Sequence, residues 1–272
     1  MAIIPQNPNV TLARLNALEF PQRNGNTVAM STIGDSCDRK LWFNLHWISE
    51  PEIINVRIKN LFATGTRAED FIIKDLEKVD IKITNRQEEI WAAMGHAHGF
   101  TDGRANDVPE APKTQHLLEI KTHNLKYFKK LQKEGIRVGF PKHYAQCQRY
   151  MKALKLKRTL YVGYCKDDSA YYTERLRYDP GYAADLVRKE EGIVLATVPP
   201  INKFHKGWFE CTWCRHNQVC YENKPVAKNC RTCYNVDKAK DGKWICTLNG
   251  EHEIPHEVQL TGCDYHKPIK IV

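Results

Sequence analysis

Apolar residues in this chain recur with a helical period, then with a period of two, then helically again, and past Pro200 the pattern dissolves. Residues 1–30, rich in Pro and Asn, read as an N-terminal arm with little regular structure of its own. Asp35 and Ser36 offer a cap for a first helix through Arg39, Leu41, Trp42 and Leu45, with Cys37 in its first turn. A second helical stretch spans about 55–79, where Ile58, Leu61, Phe62, Ile72, Ile73 and Leu76 are spaced for a buried stripe.

Alternation then takes over. Segments 89–94, 97–105 and 116–122 are strand-like and separated by Gly, Asn, Asp and Pro. Helical texture returns over 125–133 and 142–154. Strand patterns follow at 159–165 and 170–178, and Asp179-Pro180 opens a last helix that runs to about Ala196. This order predicts an α/β domain with a sheet flanked by helices, over about residues 31–222. Residues 223–272 hold too few aliphatic side chains to fold by burial alone, which predicts a small appended module stabilised by metal.

Two placements stand out against this pattern. In Leu117-Leu118-Glu119-Ile120-Lys121, Glu119 and Lys121 share one face of a predominantly apolar strand while Ile120 takes the other. Asp102 closes Gly99-Phe-Thr-Asp102 just ahead of Gly103. Hard divalent cations such as Mg2+ or Mn2+ take carboxylate oxygens, so Asp102 and Glu119 suit a metal-dependent attack on a phosphodiester, with Lys121 beside the water or the developing charge. The bland alternative makes Asp102 a turn cap and Glu119 and Lys121 a solvated strand edge. Glu69 lies four residues after Gly65 on the second helix, and Gln146 and Tyr150 share a helical face at i, i+4.

Taken together, Gly65-x3-Glu69, Asp102, Glu119-x-Lys121 and Gln146-x3-Tyr150 resemble the motifs of the PD-(D/E)XK nuclease superfamily, in its RecB-like and lambda-exonuclease-like branch. The resemblance covers about residues 31–178. It implies a restriction-endonuclease-like core with a mixed central sheet. It further implies metal held by Glu69, Asp102 and Glu119 with the Ile120 carbonyl as a further ligand, water activation assisted by Lys121, and support from Gln146 and Tyr150. Glu69 replaces the His usual in much of the RecB-like group, which is closer to the lambda-exonuclease side. The implied activity is Mg2+- or Mn2+-dependent DNA exonuclease in recombination, repair or phage-type DNA processing. A structure-specific endonuclease and a non-catalytic DNA-binding scaffold are the rivals. A helicase, a recombinase or a single-strand-binding protein would suit such an enzyme as partner.

Ten cysteines sharpen the reading. MAIIPQNPNV lacks the features of a signal peptide and no stretch approaches the roughly 20 apolar residues of a membrane span, so a cytoplasmic site is expected, that of a host if the chain is phage-encoded. Clustered thiols in a reducing compartment read as metal ligands. Cys37 with Cys211-x2-Cys214-x5-Cys220 resembles the iron-sulfur staple of AddB-type nucleases, implying a structural 4Fe-4S cluster, with Zn2+ the competing occupant. Cys230, Cys233, Cys246 and Cys263 form a second set, a zinc-ribbon-like module in which His266 is an alternative fourth ligand and His252 and His256 are weaker ones. Cys147 and Cys165, outside both sets, read as small buried hydrophobes.

Charge adds a modest constraint. The formal net charge is +9, and two four-thiolate centres of about −2 each would leave roughly +5, which suits a polyanionic partner such as DNA. Tyr127, Phe128, Lys129, Lys130 and Lys133 are candidates to track phosphates and stack on bases. His96 and His98 are expected on one strand face as scaffold, and His123 near the surface.

Overall fold

The computed structural model describes residues 9–22, 24–248 and 250–271. Of the expected N-terminal arm, residues 1–8 and Arg23 fall outside this set, and the remainder is more ordered than its composition suggests. Helix α1 (Val10–Asn16) is capped by the Asn9 side chain. Strand β1 (Glu19–Pro21) is antiparallel to a later strand, and β2 (Val28–Ala29) brings Val28 and the following Met30 into the core. Polar residues kept these segments from reading as apolar runs, yet their backbones pair with strands far along the chain.

Helix α2 (Asp38–Leu45) begins one residue after Cys37, which is its N-cap and not part of its first turn. Strand β3 (Ile53–Asn55) pairs with β1, and Asn55 caps α3 (Val56–Glu77) by accepting the Ile58 N–H at 3.1 Å. Only the second half of α3 is buried, through Ala68, Ile72, Ile73 and Leu76; Leu61 and Phe62 face solvent. At its start the helix meets α1 and the two-stranded β1–β3 sheet, where Lys59 sits over the Phe20 ring, and these leave Leu61 and Phe62 uncovered.

Next come β4 (Lys82–Thr84), β5 (Glu89–Ala92), β6 (Ala97–Phe100), β7 (Gly103–Asn106) and β8 (His116–His123). The single strand expected over 97–105 is broken at Thr101-Asp102. Strand β6 lies between β2 and β5 in a small sheet, whereas β7 joins the large one. Gly103 makes the switch with φ +151, where a Cβ would meet the Thr84 carbonyl at 3.2 Å.

Asn124 caps α4 (Leu125–Gly139), which kinks at Gly135 (φ +66) and resumes with the Ile136 N–H donating to Glu174 at 2.9 Å. Pro141 starts α5 (Pro141–Leu154), and left-handed Lys155 ends it. Strands β9 (Arg158–Cys165) and β10 (Tyr171–Arg177) follow, then α6 (Pro180–Leu195), capped by Asp179.

The large sheet runs β10-β9-β8-β7-β4 and is mixed: β8 and β9 are parallel, the other pairs antiparallel. Its two faces carry different cores. Leu118, Ile120, Leu160 and Val162 meet the buried stripe of α3 on one side; Leu117 and Tyr161 meet the larger cluster built on α2, α5 and α6 on the other. Among the described residues, no helix is long and apolar enough to cross a membrane.

Beyond residue 200, short helices α7 (Phe209–Thr212) and α8 (Asn217–Tyr221) lead into a three-stranded antiparallel sheet of β11 (Val236–Lys238), β12 (Trp244–Cys246) and β13 (His252–Glu253), closed by α9 (His256–Thr261). This segment is docked and not merely appended. Trp244 is buried edge-on to His46 and His96. The Ala227 N–H donates to the Ile48 carbonyl at 2.9 Å, and Gly242 packs on Gly95 so tightly that a Cβ on Gly95 would lie 2.3 Å from the Gly242 nitrogen.

Candidate active site

The alternation of β8 sends Glu119, Lys121 and His123 to the α5 side of the sheet, and parallel pairing sets Tyr161 of β9 beside Glu119. Glu119 is wholly buried. Its Oε1 accepts from the Lys121 ammonium, and its Oε2 has no donor among the described residues. Burial pushes the Glu119 carboxyl up to about 7; Asp102 and Glu69 push the same way, and Lys121 opposes them.

Lys121 sits at the rim, with 28% of its side chain accessible. Burial works against its ammonium, but the Glu119 and Asp102 carboxylates prevail and hold its pKa above that of an ordinary lysine. The turn between β6 and β7 brings in Asp102, whose Oδ2 accepts the Ile120 N–H at 2.6 Å. Strand β8 therefore fixes two acids, one through a side chain and one through its backbone. Glu69, half-buried on α3, is raised in pKa by burial and then by Asp102, with Lys121 and Arg86 offsetting.

Tyr150 completes the wall from α5. It is 1% exposed, and its hydroxyl presses on β6 where a Cβ on Gly99 would sit 2.6 Å away, so only glycine fits. Burial raises its phenol pKa, Glu119 adds to the rise and Lys121 opposes it. Gln146 is buried one turn earlier on the same helix. Asp102, Glu119 and Lys121 thus act on one another and on Tyr150, Glu69 acts with the same three, and Gln146 is buried.

Several side chains contribute that their sequence positions did not reveal. The Tyr161 hydroxyl lies 3.1 Å from His123 Nε2 and 3.0 Å from His143 Nδ1. Burial, then Lys121, drives both imidazoles down, to about 4 for His123 and about 3 for His143, so both are neutral near pH 7. His123 is accordingly a buried residue and not a surface one. The available signal was phase: His123 continues the Glu119-Lys121 alternation, and a parallel β9 puts Tyr161 on the same face. Cys147 is also buried as expected, but beside charge: after burial, Glu119 is the next cause raising its thiol pKa.

Other nominated residues have other places. His96 is buried in the turn before β6 and bonds the Ala239 carbonyl at 2.8 Å, while His98 lies on β6, stacked on Trp91 and 2.9 Å from Glu89, so the two do not share a strand face. Phe128 is in the core; Tyr127, Lys126, Lys129, Lys130 and Lys133 are exposed on α4.

The thiols of both expected sets lie near others of their set. Cys37 accepts the Lys40 N–H at 3.4 Å and interacts electrostatically with Cys211 and Cys214, as Cys220 does with Cys214 and Cys37. Cys230 interacts with Cys233, Cys246 and Cys263. Among the described residues, no group of three or more His, Cys, Asp or Glu side chains is placed to hold a metal ion. In the acid pocket the Lys121 ammonium and the Ile120 N–H each engage a carboxylate.

No protein-family model matches the chain, and no curated protein matches it in sequence. Among solved structures it is similar to the alkaline exonuclease LHK-Exo from Laribacter hongkongensis, with a TM-score of 0.46 and 17% identity over 62% of this chain and 87% of that one. LHK-Exo in complex with dAMP gives 0.43 and 16% over 62% and 86%. SSO0001 gives 0.44 and 17% over 74% and 88%. Overlaps this partial transfer no activity to the chain.

Proposed function

We propose that the chain is a divalent-metal-dependent nuclease acting on DNA, and that it works from ends as an exonuclease. The observation that carries this reading is the Glu119 carboxylate: a buried acid with one oxygen on the Lys121 ammonium and the other without a donor among the described residues, within reach of the charges of Asp102 and Glu69. Glu119, with Asp102 and Glu69 near enough to act on its carboxyl, supplies hard oxygens of the kind that Mg2+ or Mn2+ takes, and among the described residues the three do not stand at metal-holding spacing. Glu69, Asp102 and Glu119 would hold the ion, with the Ile120 carbonyl as a further donor.

A cation bound there supplies Lewis acidity toward a phosphoryl oxygen and a more acidic bound water. The residues do the rest. The Ile120 N–H orients Asp102, so this carboxylate approaches the site in a fixed direction. Lys121, held protonated by the acids beside it, suits stabilisation of charge building on phosphate better than proton abstraction. Tyr150 and Gln146 brace the α5 wall. Helix α4, leaving β8 directly, offers Lys126, Lys129, Lys130, Lys133 and Tyr127 to the phosphates and bases of a bound strand.

The test is cleavage of end-labelled linear, nicked and closed circular DNA with Mg2+, Mn2+ or EDTA. Linear DNA should be degraded in either metal and spared in EDTA, with closed circles intact. Cut closed circles would replace the exonuclease with an endonuclease, and no cleavage of any form would leave a DNA-binding scaffold.

A further inference from the structure

We propose that the outward face of the small β2-β6-β5 sheet is a stacking platform for the bases of unpaired DNA, built on Trp91, His98 and Phe100. The inference deepens the nuclease reading above and rests on it for the identity of the strand.

Alternation along two short strands builds the platform. On β6, Ala97 is buried and Gly99 backs onto Tyr150 and Met30, while Ile90 of β5 joins the same core. The residues between them face outward. Antiparallel register sets Trp91 opposite His98 and Glu89 opposite Phe100, so these four side chains share the outer face. A solvated face of an antiparallel sheet is ordinarily polar. Here it is aromatic: Trp91 is 56% exposed and Phe100 49%.

The rings are ordered as well as exposed. Trp91 and His98 stack with centroids 4.0 Å apart and 28° between their planes, and Phe100 meets His98 edge-on at 4.6 Å. His98 Nε2 lies 2.9 Å from Glu89 Oε1, which fixes the central imidazole and engages the carboxylate of this face. Scattered apolar side chains on a surface need no explanation, whereas contiguous rings held by strand register mark an interaction surface. Side chains already ordered lose little freedom when a flat partner stacks on them.

Location selects the partner. Phe100 ends β6, and Asp102 of the acid pocket follows two residues later. At the opposite end, the Gly242 N–H donates to the Met94 carbonyl at 2.8 Å in the turn between β5 and β6. This contact seats the turn that carries Lys240 and Lys243. Lys243 pairs with Glu253, and Lys240 is exposed. A strand leaving the pocket over this face would meet aromatic rings first and a cation beyond them, the combination that binds single-stranded nucleic acid without regard to sequence. A duplex hides the faces of its bases, so rings at this place select the unpaired strand.

The test is binding to the full-length chain in EDTA, which withholds the metal needed for cleavage. Three labelled DNAs are compared by fluorescence anisotropy: a thymidine oligomer, an abasic strand of the same length and charge, and a blunt duplex. Wild type should prefer the thymidine strand to the abasic one several-fold. Trp91→Ala and Phe100→Ala should each weaken binding of the thymidine strand by about tenfold, and the double variant should lose the preference, with duplex binding unchanged. Trp91→Phe keeps a ring and should retain most of the affinity. The wild-type comparison between thymidine and abasic strands needs no variant, so it stands even where a substitution harms folding. Equal wild-type affinity for the two strands, unchanged binding in the double variant, or equal losses on the abasic strand would overturn the platform. Any of these together with metal-dependent cleavage would leave the nuclease reading intact, whereas absence of both binding and cleavage would remove both.

Discussion

The acid pocket and the C-terminal thiol set both gather groups that repel one another when ionised, but they are built in opposite ways. Glu119 and Lys121 stand on the parallel-paired strand β8, which receives backbone hydrogen bonds from neighbours on both sides and packs apolar residues on both faces. The sheet holds these charges in place, at the cost of burying Glu119. The thiols of residues 230–263 come from turns and a three-residue strand, with little apolar surface beneath them. Donors on a sheet are organised before any ligand binds. Side chains on loops have no such framework, so the two regions should respond differently to mutation.

The strongest test of the contrast removes donors from the acid pocket. Asp102→Ala and Lys121→Ala should each lower cleavage by about 10²–10³-fold while leaving the melting temperature close to wild type, because the sheet carries the fold. Cleavage at the wild-type rate in both variants would dismiss the pocket as an active centre. EDTA should abolish activity without unfolding the core.

Next in size is Arg231→Ala, which removes a buried guanidinium from the carbonyls of Asn26 and Leu45, from Gln259 and from the Trp47 and Trp244 rings. A stability loss of about 2–4 kcal/mol by chemical denaturation is expected. A change within the error of the measurement would show that the C-terminal segment is not held to the core there.

A pH effect separates the two regions further. In the metal-free protein the folded-state pKa of Glu119 is raised from 4.5 to about 7. An acid with a raised folded pKa favours folding below its unfolded pKa and loses that contribution as pH rises through the folded value. Wild type should therefore lose up to about 2–3 kcal/mol relative to Glu119→Gln between pH 4.5 and 7. The neighbouring histidines act with the reverse sign: His123 and His143 are depressed from 6.5, and their contribution disappears as pH falls. Since the histidines are common to both proteins, the difference between the two stability curves isolates Glu119. Parallel curves would mean that the carboxyl is not strained by burial.

The smallest effect is expected on α4. Lys129→Glu with Lys130→Glu should weaken DNA binding and reduce the slope of log affinity against log salt by roughly 2, about one for each phosphate no longer neutralised. An unchanged slope would remove α4 from the binding surface.

Much of the framework was legible in the sequence. Helices α3, α4, α5 and α6 and strands β8, β9 and β10 follow the periodicity of their apolar residues, and Glu119 with Lys121 were marked by an alternation that an apolar strand does not explain. The break at Asp102 was hidden, since β6 and β7 form one unbroken run in sequence and differ only in which sheet each one joins. The buried face of α3 was misjudged over Leu61 and Phe62 because helical periodicity identifies a stripe without saying how much of it is covered. His123 was misplaced for a related reason: the burial of a strand residue depends on the helix that covers it, here the α4–α5 corner.

By itself, then, the sequence determined where most of the helices and strands form and which charges interrupt apolar faces, because period and composition are local quantities. Only tertiary structure decided that β8 lies parallel to β9, that Tyr161 bridges His123 and His143, and that Arg231 enters the core between Trp47 and Trp244. These depend on contacts between residues distant in the chain, where register, burial and the positions of partner charges are fixed jointly by the packed whole.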